Sequence, residues 1–213
     1  MAGFTELNDG TAHGFLWLHT NVVKLFNAPG VGVNTDQHTV PFGVNKALTV
    51  VGGIWFFSTP QGDGGWVRFS NGSFETMNPG SSVSGTCCWS VNGVSNNGYL
   101  SGTAFYHDFV SAWFKSGADE DFYPLTGDTY GTAVNNNADV IGWRVGGKGY
   151  FAKHIELNEG TNDAVEVKPA FISVAYPNGK ATYPMGLNDS RWIAGVYTDS
   201  SGVMHGFIAK PNF

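Results

Sequence analysis

Five times along this chain a glycine sits inside a short apolar stretch and is followed shortly by a small residue and an aromatic ring. The clearest copy runs Gly186-Leu187-Asn188-Asp189-Ser190-Arg191-Trp192-Ile193-Ala194-Gly195-Val196-Tyr197 and continues to His205-Gly206-Phe207-Ile208; the others centre on Gly3, Gly52, Gly102 and Gly142. The glycines recur at intervals of 40 to 53 residues. Self-similarity at such a period marks a repeat architecture, in which one unit buries its apolar surface by stacking on the next.

Four segment types make up each repeat. Type A surrounds the marker glycine, as in Val50-Val51-Gly52-Gly53 and Val140-Ile141-Gly142-Trp143. A glycine inside a strand weakens it, so its recurrence predicts close approach of another backbone or a bulge. Type B carries the small residue and the ring: Gly14-Phe15, Gly65-Trp66, Ala112-Trp113, Gly149-Tyr150 and Gly206-Phe207. Type C is Val23-Lys24-Leu25-Phe26, Phe74-Glu75-Thr76-Met77 and Phe122-Tyr123-Pro124-Leu125, and dissolves in the fourth repeat into an insertion, roughly residues 156–180. Type D leads into a turn: Val40-Pro41-Phe42-Gly43-Val44-Asn45, Trp89 to Ser95, Tyr130 to Asn135 and Tyr183 to Asn188. Asn45, Ser95, Asn135 and Asn188 read as turn formers, because such side chains bond nearby backbone groups.

No stretch shows a sustained helical period. Short strands with Gly/Pro punctuation predict one all-β domain over residues 1–213, a β-propeller of about five blades with roughly four antiparallel strands each. The repeats fall approximately at 1–42, 43–92, 93–132, 133–185 and 186–213. The chain opens on an A strand and closes after a B strand, so a terminal blade is incomplete. An open edge invites pairing with another chain, and a homodimer through that blade is the expectation.

Composition excludes several classes. A formal net charge of −6 without a Lys/Arg run argues against nucleic acid as a partner. No apolar run is long enough for a membrane-spanning helix, and a soluble protein is expected. The adjacent Cys87 and Cys88 cannot staple distant strands; they read as small apolar residues beside Trp89. The six histidines lack metal-ligand spacing, so neither a metal nor a cofactor is expected.

The pattern Gly-hydrophobic-Asn, then hydrophobic-x-Gly-x-Tyr-x-Asp, then Gly-x-x-His-Gly-Phe over residues 186–207 resembles the HAF repeat, found in many predicted extracellular microbial proteins. Ala12-His13-Gly14-Phe15 and Met204-His205-Gly206-Phe207 carry the triplet; Gly64-Gly65-Trp66, Ser111-Ala112-Trp113 and Lys148-Gly149-Tyr150 depart from it. The resemblance implies a propeller-like repeat fold and secretion, and no shared catalytic residues. The opening Met1-Ala2-Gly3-Phe4-Thr5-Glu6 is not a signal peptide and points instead to the cytoplasm. The compartment stays open.

Chemistry is expected at loops and channel mouths. The A–B loops carry Glu6, Asp9, Asp63, His107, Asp108 and Asp199, which read first as turn acids beside glycine and second as a broken ring for a cation. His107 and Asp108 adjoin as a base and an acid in a non-repeating way, and with Arg144 they are the catalytic candidates. Repeat breaks are the better pointer: Cys87 to Trp89, the insertion, and Trp143-Arg144, where other copies have small or hydroxyl residues. Trp55, Phe105, Trp143, Arg144 and Tyr197 are the binding candidates, an aromatic mouth with one guanidinium. The leading expectation is binding of a small molecule or glycan at the channel mouth. The alternatives are a cofactor-free cyclase, isomerase or lyase with one asymmetric pocket, and a protein-interaction scaffold.

Overall fold

A computed structural model of the chain describes residues 1–8, 10–18, 20, 22–31, 37–56, 64–77, 86–106, 109–116, 123–153, 155 and 170–211. Among them are eighteen β-strands and no helix. The first repeat supplies A, B and C strands: β1 (Ala2–Glu6), β2 (Ala12–Trp17) and β3 (Val23–Phe26). Three units follow in the order D, A, B, C. They are β4 (Gln37–Val44), β5 (Val50–Phe56), β6 (Gly65–Arg68) and β7 (Phe74–Met77); β8 (Thr86–Val94), β9 (Leu100–Tyr106), β10 (Val110–Lys115) and β11 (Tyr123–Gly127); and β12 (Thr129–Val134), β13 (Val140–Arg144), β14 (Lys148–Ala152) and β15 (Phe171–Val174). The last unit is β16 (Ala181–Leu187), β17 (Ile193–Thr198) and β18 (Met204–Ala209).

Neighbours within a unit pair antiparallel, and a single parallel bridge, Ala12 with His38, joins β2 to β4. The fourth repeat keeps its C strand after all, as β15 at the end of the inserted span. Both terminal units are three-stranded among the described residues. In the last three sheets the D strand lies at one edge, paired to the A strand that follows its tight turn, whereas β4 lies between β2 and β5 in a seven-stranded sheet.

That turn is built identically four times, at residues 45–49, 95–99, 135–139 and 188–192. The first residue donates its backbone N–H to the fifth carbonyl, and the fourth donates to the first. The side-chain oxygen of Asn45, Ser95, Asn135 or Asn188 accepts the fifth residue's N–H at 2.9–3.0 Å. The closure throws the fourth residue into the left-handed region: φ is 63° at Leu48, 86° at Gly98, 56° at Ala138 and 62° at Arg191.

Successive turns also bond one another. Asn45 Nδ2 donates to Ser95 O at 3.0 Å, Asn97 N to Asn136 Oδ1 at 3.1 Å, and Asn135 Nδ2 to Asn188 O at 3.1 Å. Arg191 reaches back to the buried Asp139 carboxylate through Nε at 2.8 Å and an Nη at 3.3 Å.

Register explains the marker glycine. Gly3, Gly52, Gly102, Gly142 and Gly195 pair with Phe15, Trp66, Trp113, Tyr150 and Phe207 on the adjacent B strand. The ring lies over the glycine, and in the last four units a D-strand carbonyl crowds the same space. A Cβ there would strike both, so close approach is the reason for the residue. This glycine–ring face looks toward the preceding unit, and the alternate residues face the following one. The buried clusters sit accordingly between consecutive units. Leu16 meets Val50 and Trp66; Val51 and Val67 meet Val91 and Trp113; Ala112 and Phe114 meet Val140 and Tyr150; Ile141 and Phe151 meet Ile193.

Candidate functional site

Every D strand carries a β-bulge at the same repeat position. The register slips between Pro41 and Gly43, Val91 and Gly93, Gly131 and Ala133, and Pro184 and Gly186. The extra residues are Phe42, Asn92, Thr132 and Met185. A bulge re-aims its side chain away from the regular pleat. All four line one cavity of about 430 Å³. Trp89, Ser90, Thr103, Phe105, Tyr130 and Trp143 complete its wall.

The aromatics form a continuous run across three units. Phe105 meets Tyr130 edge-on at 6.0 Å between centroids, Tyr130 stacks on Trp143 at 5.2 Å, and Trp143 meets Tyr183 edge-on at 5.5 Å. Quadrupolar rings prefer these geometries, and each contact fixes its neighbour's orientation. The polar lining is largely engaged in joining units. Asn92 Nδ2 donates to Gly131 O at 2.7 Å and to Thr103 Oγ1 at 3.2 Å, and Thr132 Oγ1 donates to Pro184 O at 2.8 Å. Asn92 Oδ1 is left as an acceptor. Among the described residues, the lining contains no carboxylate, imidazole, ammonium or guanidinium.

A second basin of about 400 Å³ lies at the D–A turns, lined by Val44, Val94, Val134 and Leu187 and by the turn residues after them. The amides of Asn45 and Asn135 there are committed to turn-to-turn bonds.

Phe105 and Trp143 thus lie in the aromatic cavity. Arg144 does not line it: next to Trp143 in β13, it points to the other face, with its guanidinium 5.1 Å from the Phe171 ring centroid. Burial pushes the Tyr150 phenol well above its usual pKa, with Arg144 pulling weakly back. Its hydroxyl donates to Tyr130 O at 3.1 Å, behind the cavity wall. The side chain of Trp55, and His107 and Asp108 entirely, lie outside the described residues. Two sequence breaks, at Trp89 and Trp143, each put an indole into the cavity. The bulge residues carried no such signal, because Phe42, Asn92, Thr132 and Met185 share no chemistry.

Tyr197 belongs to a separate cluster on the last unit. It stacks on Tyr176 at 3.6 Å and on His205 at 5.1 Å, and His205 Nε2 donates to Asp199 Oδ2 at 2.9 Å. Asp199 also holds its own turn, accepting from Ser201 N and Val203 N. The His205 bond, then these N–H groups, hold its carboxyl below the usual carboxylate pKa. Such a depressed group contributes stability above its unfolded pKa and loses it as pH falls through the folded value. A carbon-detected NMR titration is expected to find Asp199 titrating below the usual carboxylate range and to see it rise in His205→Ala. His13, at the same repeat position in the first unit, bonds Thr11 and Asn27 instead. Among the described residues no cluster of His, Cys, Asp or Glu is arranged to hold a metal ion.

No protein-family model matches the chain, and no curated protein matches it in sequence. Among solved structures it is similar to TolB from Acinetobacter baumannii, a β-propeller protein, with a TM-score of 0.62 and 14% identity. The likeness is of fold alone. It covers 98% of this chain and 50% of that one, so the chain spans half the length of the TolB chain. An all-β chain of several sheets with a propeller neighbour is the architecture on which the cavity sits.

Proposed function

We propose that this chain is a binding protein that takes a small neutral molecule with a flat apolar face into the aromatic cavity at the D-strand bulges. In the propeller reading, the D-strand edge that carries the bulges faces the central axis, and the cavity lies on that side of the array. The observation that carries the reading is the lining itself: a stacked aromatic wall and four re-aimed bulge side chains, with no charged group among the described residues. Small-molecule sites combine apolar walls with a few placed polar groups. Among the described residues Asn92 Oδ1, Ser90 Oγ and the Tyr130 hydroxyl are unengaged polar groups of the lining, which suits a ligand with a few polar groups at the edge of an apolar face. A glycan, with many hydroxyls to satisfy, finds fewer partners, because Asn92 Nδ2 and Thr132 Oγ1 already bond backbone carbonyls. Catalysis in this cavity has less support, since Arg144 faces away and no acid or base of the described residues lines it.

The test is a screen of uncharged aromatic compounds and of oligosaccharides against the intact chain, read by tryptophan fluorescence and by native mass spectrometry. Aromatic compounds are expected to bind. Trp143→Ala is expected to weaken the best of them about tenfold or more, equivalent to roughly 1.4 kcal/mol or more. Trp192→Ala, outside the cavity, is expected to leave affinity unchanged. Equal affinity in Trp143→Ala would overturn the assignment of the site, and a preference for oligosaccharides would overturn the ligand class.

A further inference from the structure

The third residue of the B-strand phrase shows what the last unit lacks. Leu16, Val67, Phe114 and Phe151 expose 3% or less of their surface, whereas Ile208 at the same repeat position exposes 75%. Beside it, Met204 is 64% exposed, and Ala194 on the paired strand is exposed too. The small residue two places earlier tells the same story. A Cβ at Gly65 or Gly149 would press on Val91 or Pro184 of the following unit, but at Gly206 it would meet nothing nearer than Gly195 O at 4.0 Å. The Nδ2 of Asn188 has no acceptor among the described residues, although those of Asn45 and Asn135 donate to the next turn. The following-side face of β16–β18 is therefore built to the pattern of a covered face.

The opposite face is open at the other end of the array. In β1–β3 the preceding-side face holds Gly3 under Phe15, with Trp17, Val23 and Leu25 beside it. Val23 is 55% and Leu25 57% exposed. Among the described residues, no strand of this unit pairs with a strand of the last one.

We infer that the following-side face of the last unit docks on the preceding-side face of the first unit of a second copy of this chain, head to tail. The occupant is a second copy because the two exposed faces are the two halves of the joint that the chain forms four times internally. Continuity with that joint, and apolar side chains on both halves, set the orientation. Such a contact is heterologous, so it closes into a ring or runs on as a filament. The inference does not depend on what the aromatic cavity binds.

The experiment is sedimentation velocity of the intact chain over a concentration series, with Ile208→Asp, Leu25→Asp and their equimolar mixture. Both substitutions are on exposed side chains, and circular dichroism with thermal melting verifies that they fold. The wild type is expected to associate at twice its 22.8 kDa mass or a higher multiple. Each variant alone is expected to be monomeric. The mixture is expected to recover a heterodimer, because it retains one intact last face and one intact first face. Three results overturn the inference: a wild-type monomer up to about 1 mM, association that survives Leu25→Asp, or a mixture that stays monomeric.

Discussion

Gly102→Val is expected to lower stability by about 3 kcal/mol, at the upper end of what overpacking a core costs. The new Cβ enters space held by the Ser90 carbonyl and the Trp113 indole. The carbonyl belongs to a ladder strand, and the indole is buried between β10 and the preceding unit, so neither yields cheaply. Urea denaturation is the measurement. At an m-value of about 2 kcal/mol/M, the midpoint should fall by roughly 1–2 M. Gly186→Ala is the matched control. A Cβ at Gly186 meets nothing closer than the Ala194 Cβ at 3.9 Å, and the same repeat position already holds Ala133 in another unit. It is expected to be neutral, or to stabilise by a few tenths of a kcal/mol through a less flexible unfolded chain.

The second large effect is expected at Arg191→Ala. Asp139 is fully buried, and the guanidinium of the next unit's turn grips it through two nitrogens. Removing that cation takes away the Arg191 counter-charge from a buried carboxylate, and breaking a fully buried pair costs about 3–5 kcal/mol. The arginine side chain is 30% exposed, so about 2–3 kcal/mol is expected here. Alanine keeps the Cβ, so the left-handed backbone at this position contributes equally before and after. Adding Asp139→Asn should restore part of the loss, since a neutral amide needs no counter-charge. A double-mutant cycle in urea separates this coupling from the general loss of contacts.

Much of the architecture was legible because the repeat imposes a test at every position. The glycine–ring pairs, the Asn turns and the strand order follow from local chemistry, and the strands appear where the A, B, C and D phrases predict them. The bulges were hidden, because a bulge is one extra residue in a pairing, and pairing is a relation between two segments. Trp143-Arg144 shows the same gap differently. As a dipeptide it reads as one binding feature, but strand alternation sends the indole into the cavity and the guanidinium to Phe171. β15 was obscured by the insertion before it, since Phe171-Ile172-Ser173-Val174 carries no glycine marker.

The bulges have a consequence for how such a cavity changes. Phe42, Asn92, Thr132 and Met185 are supernumerary in their ladders: the residues on either side keep the register whatever stands between them. The Phe42 and Met185 side chains, 42% and 53% exposed, are relieved of the packing that constrains a regular strand position. Phe42 and Met185 are thus the exchangeable sites, an aromatic and a thioether, whereas the amide of Asn92 and the hydroxyl of Thr132 also tie one unit to the next. The cavity is a socket with two interchangeable pins and two that double as rivets, so its apolar contacts can be altered at Phe42 and Met185 while the frame stays fixed.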